Sequence, residues 1–121
     1  MLLDSNIFIY SALPEYDHLR QWCMKQGVCA SNITRLEVLG YHQLNEADKQ
    51  DLHRLFQHVK VYPVSSSIID LAIYLRQTRK MSLGDAIIAA TALEYRQTLV
   101  TRNVRDFDWL EGLKVIDPLS S

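Results

Sequence analysis

The stretch "MLLDSNIFIY" (residues 1–10) decides how the rest of the chain reads. Three apolar residues run straight into an acid, Asp4, and the chain then turns apolar again. "MLLD" (1–4) predicts a short buried strand, and "SNIFIYSAL" (5–13) a turn into a helix that ends near Pro14, because proline cannot continue a helix. A carboxylate is thus set at the end of a strand, with core-type residues on both sides.

The same alternation continues outward. "EYDHLRQWCMKQG" (15–27) predicts a helix with Leu19, Trp22 and Cys23 on one face and Gly27 as its stop. "VCAS" (28–31) predicts a second strand. Ser31 and Asn32 are good helix-start residues, and "ITRLEVLGYHQL" (33–44) continues as a helix. "NEADKQDLHRLFQHV" (45–59) predicts an amphipathic helix with Ala47, Leu52, Leu55 and Phe56 inward. "VKVYPV" (59–64) is the third strand. "SSSIIDLAIYLRQTRK" (65–80) carries Ile68, Leu71, Ala72 and Leu75 on one helical stripe. "SLGDAIIAATALEYRQ" (82–97) is apolar almost all round, the mark of a helix buried on two sides. "TLVT" (98–101) and "LKVID" (113–117) supply strands four and five. Short apolar strands alternating with helices indicate a parallel sheet covered on both faces, an α/β/α sandwich.

The bulk properties agree with one soluble globular domain spanning 1–121: 48% of the residues are apolar and 22% charged, and only 4 glycines and 3 prolines are present. A net charge of −1 argues against a broad non-specific grip on nucleic acid, though not against a local basic site. Cys23 and Cys29 have no metal-ligand spacing and read as buried reduced thiols. Asp4 interrupts any leader-like apolar run, and no run approaches the ~20 residues that span a membrane. A cytoplasmic protein is expected. His18, His42, His53 and His58 fall on helix positions without ligand spacing, and no phosphate-cradling glycine motif is present.

In such sheets functional groups gather beyond the carboxyl ends of the strands, where strand order reverses. Asp4 ends strand one. Glu37 sits among Leu36, Val38 and Leu39 in the next helix and is expected to be at least half buried. Asp85 opens the helix leading to strand four, and Asn103, Asp106 and Asp108 follow that strand. Ordinary roles exist for some of these: Asp4 as a helix start, Asp85 in an S-x-x-D capping box with Ser82, a pattern repeated at Ser67 and Asp70, and Asp108 as a solvated loop acid. Together, however, crowded carboxylates raise one another's pKa and stay ionised only beside a cation. Oxygen ligands without His or Cys select a hard divalent ion, Mg2+ or Mn2+. The matching chemistry is phosphodiester hydrolysis by a metal-activated water.

"LLDSNIFIY" (2–10), "ITRLEVLGY" (33–41), "SLGDAIIAATAL" (82–93) and "LVTRNVRDFDWLEGLKVIDP" (99–118) resemble, in order and spacing, the motifs of PIN-domain ribonucleases, and most closely the VapC-type toxins of type II toxin–antitoxin pairs. The resemblance covers essentially the whole chain. It implies a five-stranded parallel sheet of order 3-2-1-4-5 and an acidic Mg2+/Mn2+ site that cleaves RNA. It also implies a cognate antitoxin that inserts into the acidic groove, and a homodimer. Asp4, Glu37 and Asp85 match the first three family acids. The fourth place differs between members: here Asn103 stands in one position and Asp106 in the other. Asp106 is taken as the fourth charge, so that Asp4, Asp85 and Asp106 hold the metal, with Asn103 supporting; a second metal stays open. Thr101 and Asn6 match polar positions that orient the ligands. Arg35, Arg102 and Arg105 are the candidate phosphate contacts, with Arg79 and Lys80 next.

Two other functions compete. A phospho-acceptor signalling domain needs an acid pair after strand one and an acceptor Asp after strand three, where this chain has "VYPVSSS" (61–67). A non-catalytic PIN-like module binding RNA or protein would have lost its metal. Three acids in the matching positions oppose that alternative, while Asn103 leaves room for it.

Overall fold

The computed structural model describes residues 1–120. Five strands, β1 (Leu2–Leu3), β2 (Cys29–Ser31), β3 (Lys60–Tyr62), β4 (Leu99–Val100) and β5 (Val115–Ile116), form one sheet of order β3-β2-β1-β4-β5. Every adjacent pair is parallel, with Leu2 opposite both Cys29 and Leu99. Six helices cover it: α1 (Ser5–Ser11), α2 (Asp17–Lys25), α3 (Asn32–Leu39), α4 (Glu46–Phe56), α5 (Ser66–Thr78) and α6 (Leu83–Glu94).

Side chains on a strand alternate between faces, and the two cores follow that rule. Leu2, Cys29 and Leu99 face α5 and α6, joining Ile68, Leu75, Ile88 and Phe107. Leu3, Ala30 and Val100 face the other way, joining Ile7 and Phe8 of α1, Leu19 and Cys23 of α2, and Leu52 and Phe56 of α4. Phe8 stacks on Phe56 with ring centroids 4.5 Å apart. The α/β/α sandwich and its strand order are thus as the sequence implied. Both cysteines are buried and free.

α1 ends at Ser11 with its cap at Ala12, near Pro14 as expected, and Pro14 opens a short 3-10 turn (Pro14–Tyr16). Several other local expectations are corrected. α2 ends at Lys25 because Gln26 is already extended, so Gly27 is not the stop. α3 ends at Leu39 rather than running to residue 44. A Cβ on Gly40 would lie 2.5 Å from the Leu36 carbonyl oxygen, so the closing turn there admits only glycine. Ala47 is exposed, because it sits five positions before Leu52 and so about 140° round the helix from the inward stripe. The cap of α5 is Ser65, whose hydroxyl accepts from the Ile68 N–H at 3.3 Å, which leaves the Ser67–Asp70 pattern inside the helix. Among the described residues no helix is long and apolar enough to cross a membrane.

Candidate active site

Strand order reverses between β1 and β4, and the candidate residues gather beyond the carboxyl ends of those strands. Asp4 is the first residue after β1 and the N-cap of α1. One carboxylate oxygen accepts from the Ser5 N–H at 2.8 Å, and the other accepts from the Thr101 hydroxyl at 2.7 Å. Thr101 follows β4 directly, and its Oγ1 in turn accepts from the Asn103 N–H at 3.0 Å. Asp4 is only 5% exposed, with no cation on it. Burial pushes its pKa up to about 6; the Thr101 and Ser5 hydrogen bonds pull down, while the charges of Asp85 and Glu37 push the same way as burial.

Glu37 was expected to be at least half buried and is exposed. Only Thr34 and Val38 of short α3 are buried, and Leu36 beside Glu37 is 69% exposed. The carboxylate is nonetheless held. Ser5 Oγ donates to Glu37 Oε1 at 2.6 Å, and Oε2 lies against α6 where a Cβ on Gly84 would approach to 2.7 Å. Ser5 therefore ties two acids from separate segments together, its N–H to Asp4 and its hydroxyl to Glu37.

Asp85 lies in the first turn of α6, where its N–H donates to the Ser82 hydroxyl at 3.1 Å. The capping role exists, and it does not exhaust the residue. Burial raises the Asp85 pKa, Asp106 and Glu37 raise it further, and the Ser82 bond lowers it. Asp106 stands in a 3-10 turn (Val104–Asp106) and lines with Asp85 a cleft of about 460 Å3. Asn103 precedes that turn and is exposed. The Asn6 side-chain oxygen reaches the Arg102 N–H only at 3.5 Å. Asp108 is exposed, as are all four histidines.

The candidate phosphate contacts divide. Arg105 lines the cleft with Asp85 and Asp106. Arg35 bonds Asn32 Oδ1 at 2.9 Å beside Leu36 and Leu39, away from that cleft. Arg102 is drawn back over the Tyr10 ring, 5.5 Å from its centroid, and lies 3.9 Å from Asp117. In their place the cleft holds Arg76, Arg79 and Lys80. Ser5 and Trp109 escaped the sequence reading. Ser5 is signalled only by its place between Asp4 and the strand-end cluster, and nothing in the linear pattern marks Trp109.

Among the described residues no three Asp, Glu, His or Cys side chains stand within reach of one metal ion. The donor set nevertheless fits a hard dication. It is all oxygen, one member is a buried acid, and the carboxylates act on one another through space with no cation ion-paired to any of them among the described residues.

The PIN domain family profile matches residues 1–112. Among solved structures, a toxin–antitoxin complex from Klebsiella pneumoniae is 30% identical, with a TM-score of 0.81 over 99% of this chain and 98% of that one. FitAcB from Neisseria gonorrhoeae is 24% identical at a TM-score of 0.78, each chain covered to 99%. DNA-bound VapBC from Salmonella typhimurium is 21% identical at 0.79, with 96% of each chain covered. No curated protein matches. With the profile over nearly the whole chain and the fold matched end to end, the chain belongs to the PIN domain family.

Proposed function

We propose that the chain, read as one PIN domain over 1–121, is a metal-dependent endoribonuclease and the toxin of a toxin–antitoxin pair. The observation that carries this is Asp4. A carboxyl 5% exposed, with both oxygens bonded and two further acids acting on it, is costly in the folded state unless a cation joins it. Similarity to the Klebsiella pneumoniae toxin–antitoxin complex supports the toxin assignment.

Asp4, Asp85 and Asp106 would hold Mg2+ or Mn2+, which when bound supplies activation of a water and neutralisation of charge at phosphorus. Thr101 and Ser5 fix both oxygens of Asp4 and so its direction. Glu37, solvent-exposed and held by Ser5, is placed to orient the attacking water. Ser82 secures the start of α6 and with it Asp85. Asn103 buttresses Thr101 through its N–H, and Asn6 lies beside Arg102. Arg105 is the phosphate contact that shares the acids' cleft.

An antitoxin inserting an arginine would satisfy the same carboxylates, since one guanidinium bonds two oxygens. A homodimer is supported by Ile69, Ile73 and Leu83, which are 39%, 50% and 65% exposed around one groove between α5 and α6. An RNA substrate supports a cytoplasmic location.

The test is calorimetry with Mn2+ on the wild type and Asp4→Asn, paired with expression in bacteria of wild type and Asp85→Asn and mapping of new RNA 5′ ends. Mn2+ binding lost in Asp4→Asn, with growth arrest and new ends from wild type alone, is the expected result. A wild type that binds no divalent ion at millimolar concentration, or equal toxicity from Asp85→Asn, overturns the assignment.

A further inference from the structure

Beside the acids lies a cleft that the proposed hydrolysis does not use up. Arg76, Arg79, Lys80 and Arg105 line it together with Asp85 and Asp106, in a chain whose net charge is −1. The clustering is therefore local and not a reflection of general basicity. Among the described residues the only ion pairs are Arg54–Asp51 and Arg102–Asp117, so none of the four cleft cations has a carboxylate partner of its own.

Two of the lining groups are planar and already in cation–π contact. The Arg79 guanidinium lies 4.9 Å from the centroid of the Trp109 ring. Trp109 is half buried, packs on the core beneath α5 and α6, and donates its indole N–H to the Asp106 carbonyl at 2.9 Å. Opposite, Arg76 Nε donates to the Met81 carbonyl at 3.1 Å, which anchors the turn carrying Arg79, Lys80 and the α6 cap Ser82. The Arg79–Trp109 pair is thus tied both to the segment of Asp106 and to the turn that leads into the helix of Asp85.

We infer that Arg79, backed by Trp109, is a nucleobase-stacking subsite next to the acidic centre, with Lys80 and Arg105 on the flanking phosphates. This rests on the nuclease assignment and adds to it which side chains of this chain would take the face of an unpaired base. Base stacking on a guanidinium plane requires a base splayed from its helix, because inside a helix both faces of each base are covered by its stacked neighbours. A cleft of about 460 Å3 is in the range of pockets that enclose small ligands.

The experiment titrates a short, fluorescein-labelled unpaired RNA into the full chain in EDTA, which prevents cleavage, and repeats it with an oligonucleotide abasic at its central positions. Wild type should prefer the intact oligonucleotide about ten-fold or more. Arg79→Ala should lose that preference, and Arg79→Lys, which keeps the charge but not the plane, should not restore it. Arg79 is exposed, so these variants should fold, and unchanged Mn2+ binding by calorimetry will show an intact acidic centre. Wild-type discrimination retained in Arg79→Ala or fully rescued in Arg79→Lys overturns the subsite. Arg79-dependent discrimination in a wild type that binds no Mn2+ supports the subsite and overturns the nuclease assignment instead.

Discussion

Asp4→Asn should make the metal-free protein more stable while removing its activity. The carboxyl titrates at about 6 instead of the ordinary 3.8. At about 1.36 kcal/mol per pH unit, its ionised form costs the fold about 3 kcal/mol at neutral pH. Because Asp4 is buried, solvent screening takes little from that figure. The amide keeps the packing: its oxygen can accept from the Ser5 N–H, and its nitrogen can donate to Thr101 Oγ1, the hydroxyl now accepting. The sign follows from the raised pKa. Below 3.8 the group is protonated in both folded and unfolded chains and the cost vanishes. Stability is lost as pH rises from there to about 6, and the full cost is present above. Urea unfolding in EDTA at pH about 7.5 should therefore show Asp4→Asn more stable by roughly 1–3 kcal/mol, or roughly 4–12 °C in Tm for a domain of this size. At pH about 4.5 the advantage should shrink to about 1 kcal/mol or less. Millimolar Mn2+ should raise the stability of wild type and leave Asp4→Asn unmoved. A variant no more stable than wild type in EDTA at neutral pH would mean that Asp4 is merely a helix cap, and the electrostatic reasoning would fail.

Gly84→Ala should separate positioning from folding: a Cβ 2.7 Å from Glu37 Oε2 pushes that flexible, exposed carboxylate off Ser5, while alanine inside a helix is favoured by about 1 kcal/mol. RNA cleavage should fall ten-fold or more with Tm unchanged or higher, and wild-type activity would contradict a role for Glu37. Thr101→Val deletes the donor to Asp4 and the acceptor of the Asn103 N–H, so stability at neutral pH should drop by about 1–3 kcal/mol and the Asp4 pKa, followed by NMR, should rise further. Asp106→Asn removes the largest charge effect on Asp85. The Asp85 pKa in EDTA should fall and Mn2+ affinity should weaken, whereas unchanged Mn2+ affinity would assign the fourth position to Asn103.

The hydrophobic pattern alone determined that five short strands alternate with helices, because only a parallel sheet covered on both faces buries runs such as "LL" (2–3) and "LV" (99–100). It also placed Asp4, Asp85 and Asp106 at strand ends or helix starts, since those positions follow from where the apolar runs stop. Tertiary structure alone decided which side chains meet. Glu37 looked buried from its apolar neighbours, but an α3 of only about two turns cannot bury every apolar residue, and the acid finds its partner in Ser5 thirty-two positions away. Arg35 and Arg102 stand close to the acids in the chain, yet Asn32, Tyr10 and Asp117 hold them elsewhere. Arg79 and Trp109 meet only because α5 and the segment after β4 pack on the same face of the sheet. Local periodicity reports which face of an element is apolar. Pairings between residues distant in the chain depend on how whole elements are docked, and no single stretch of sequence carries that information.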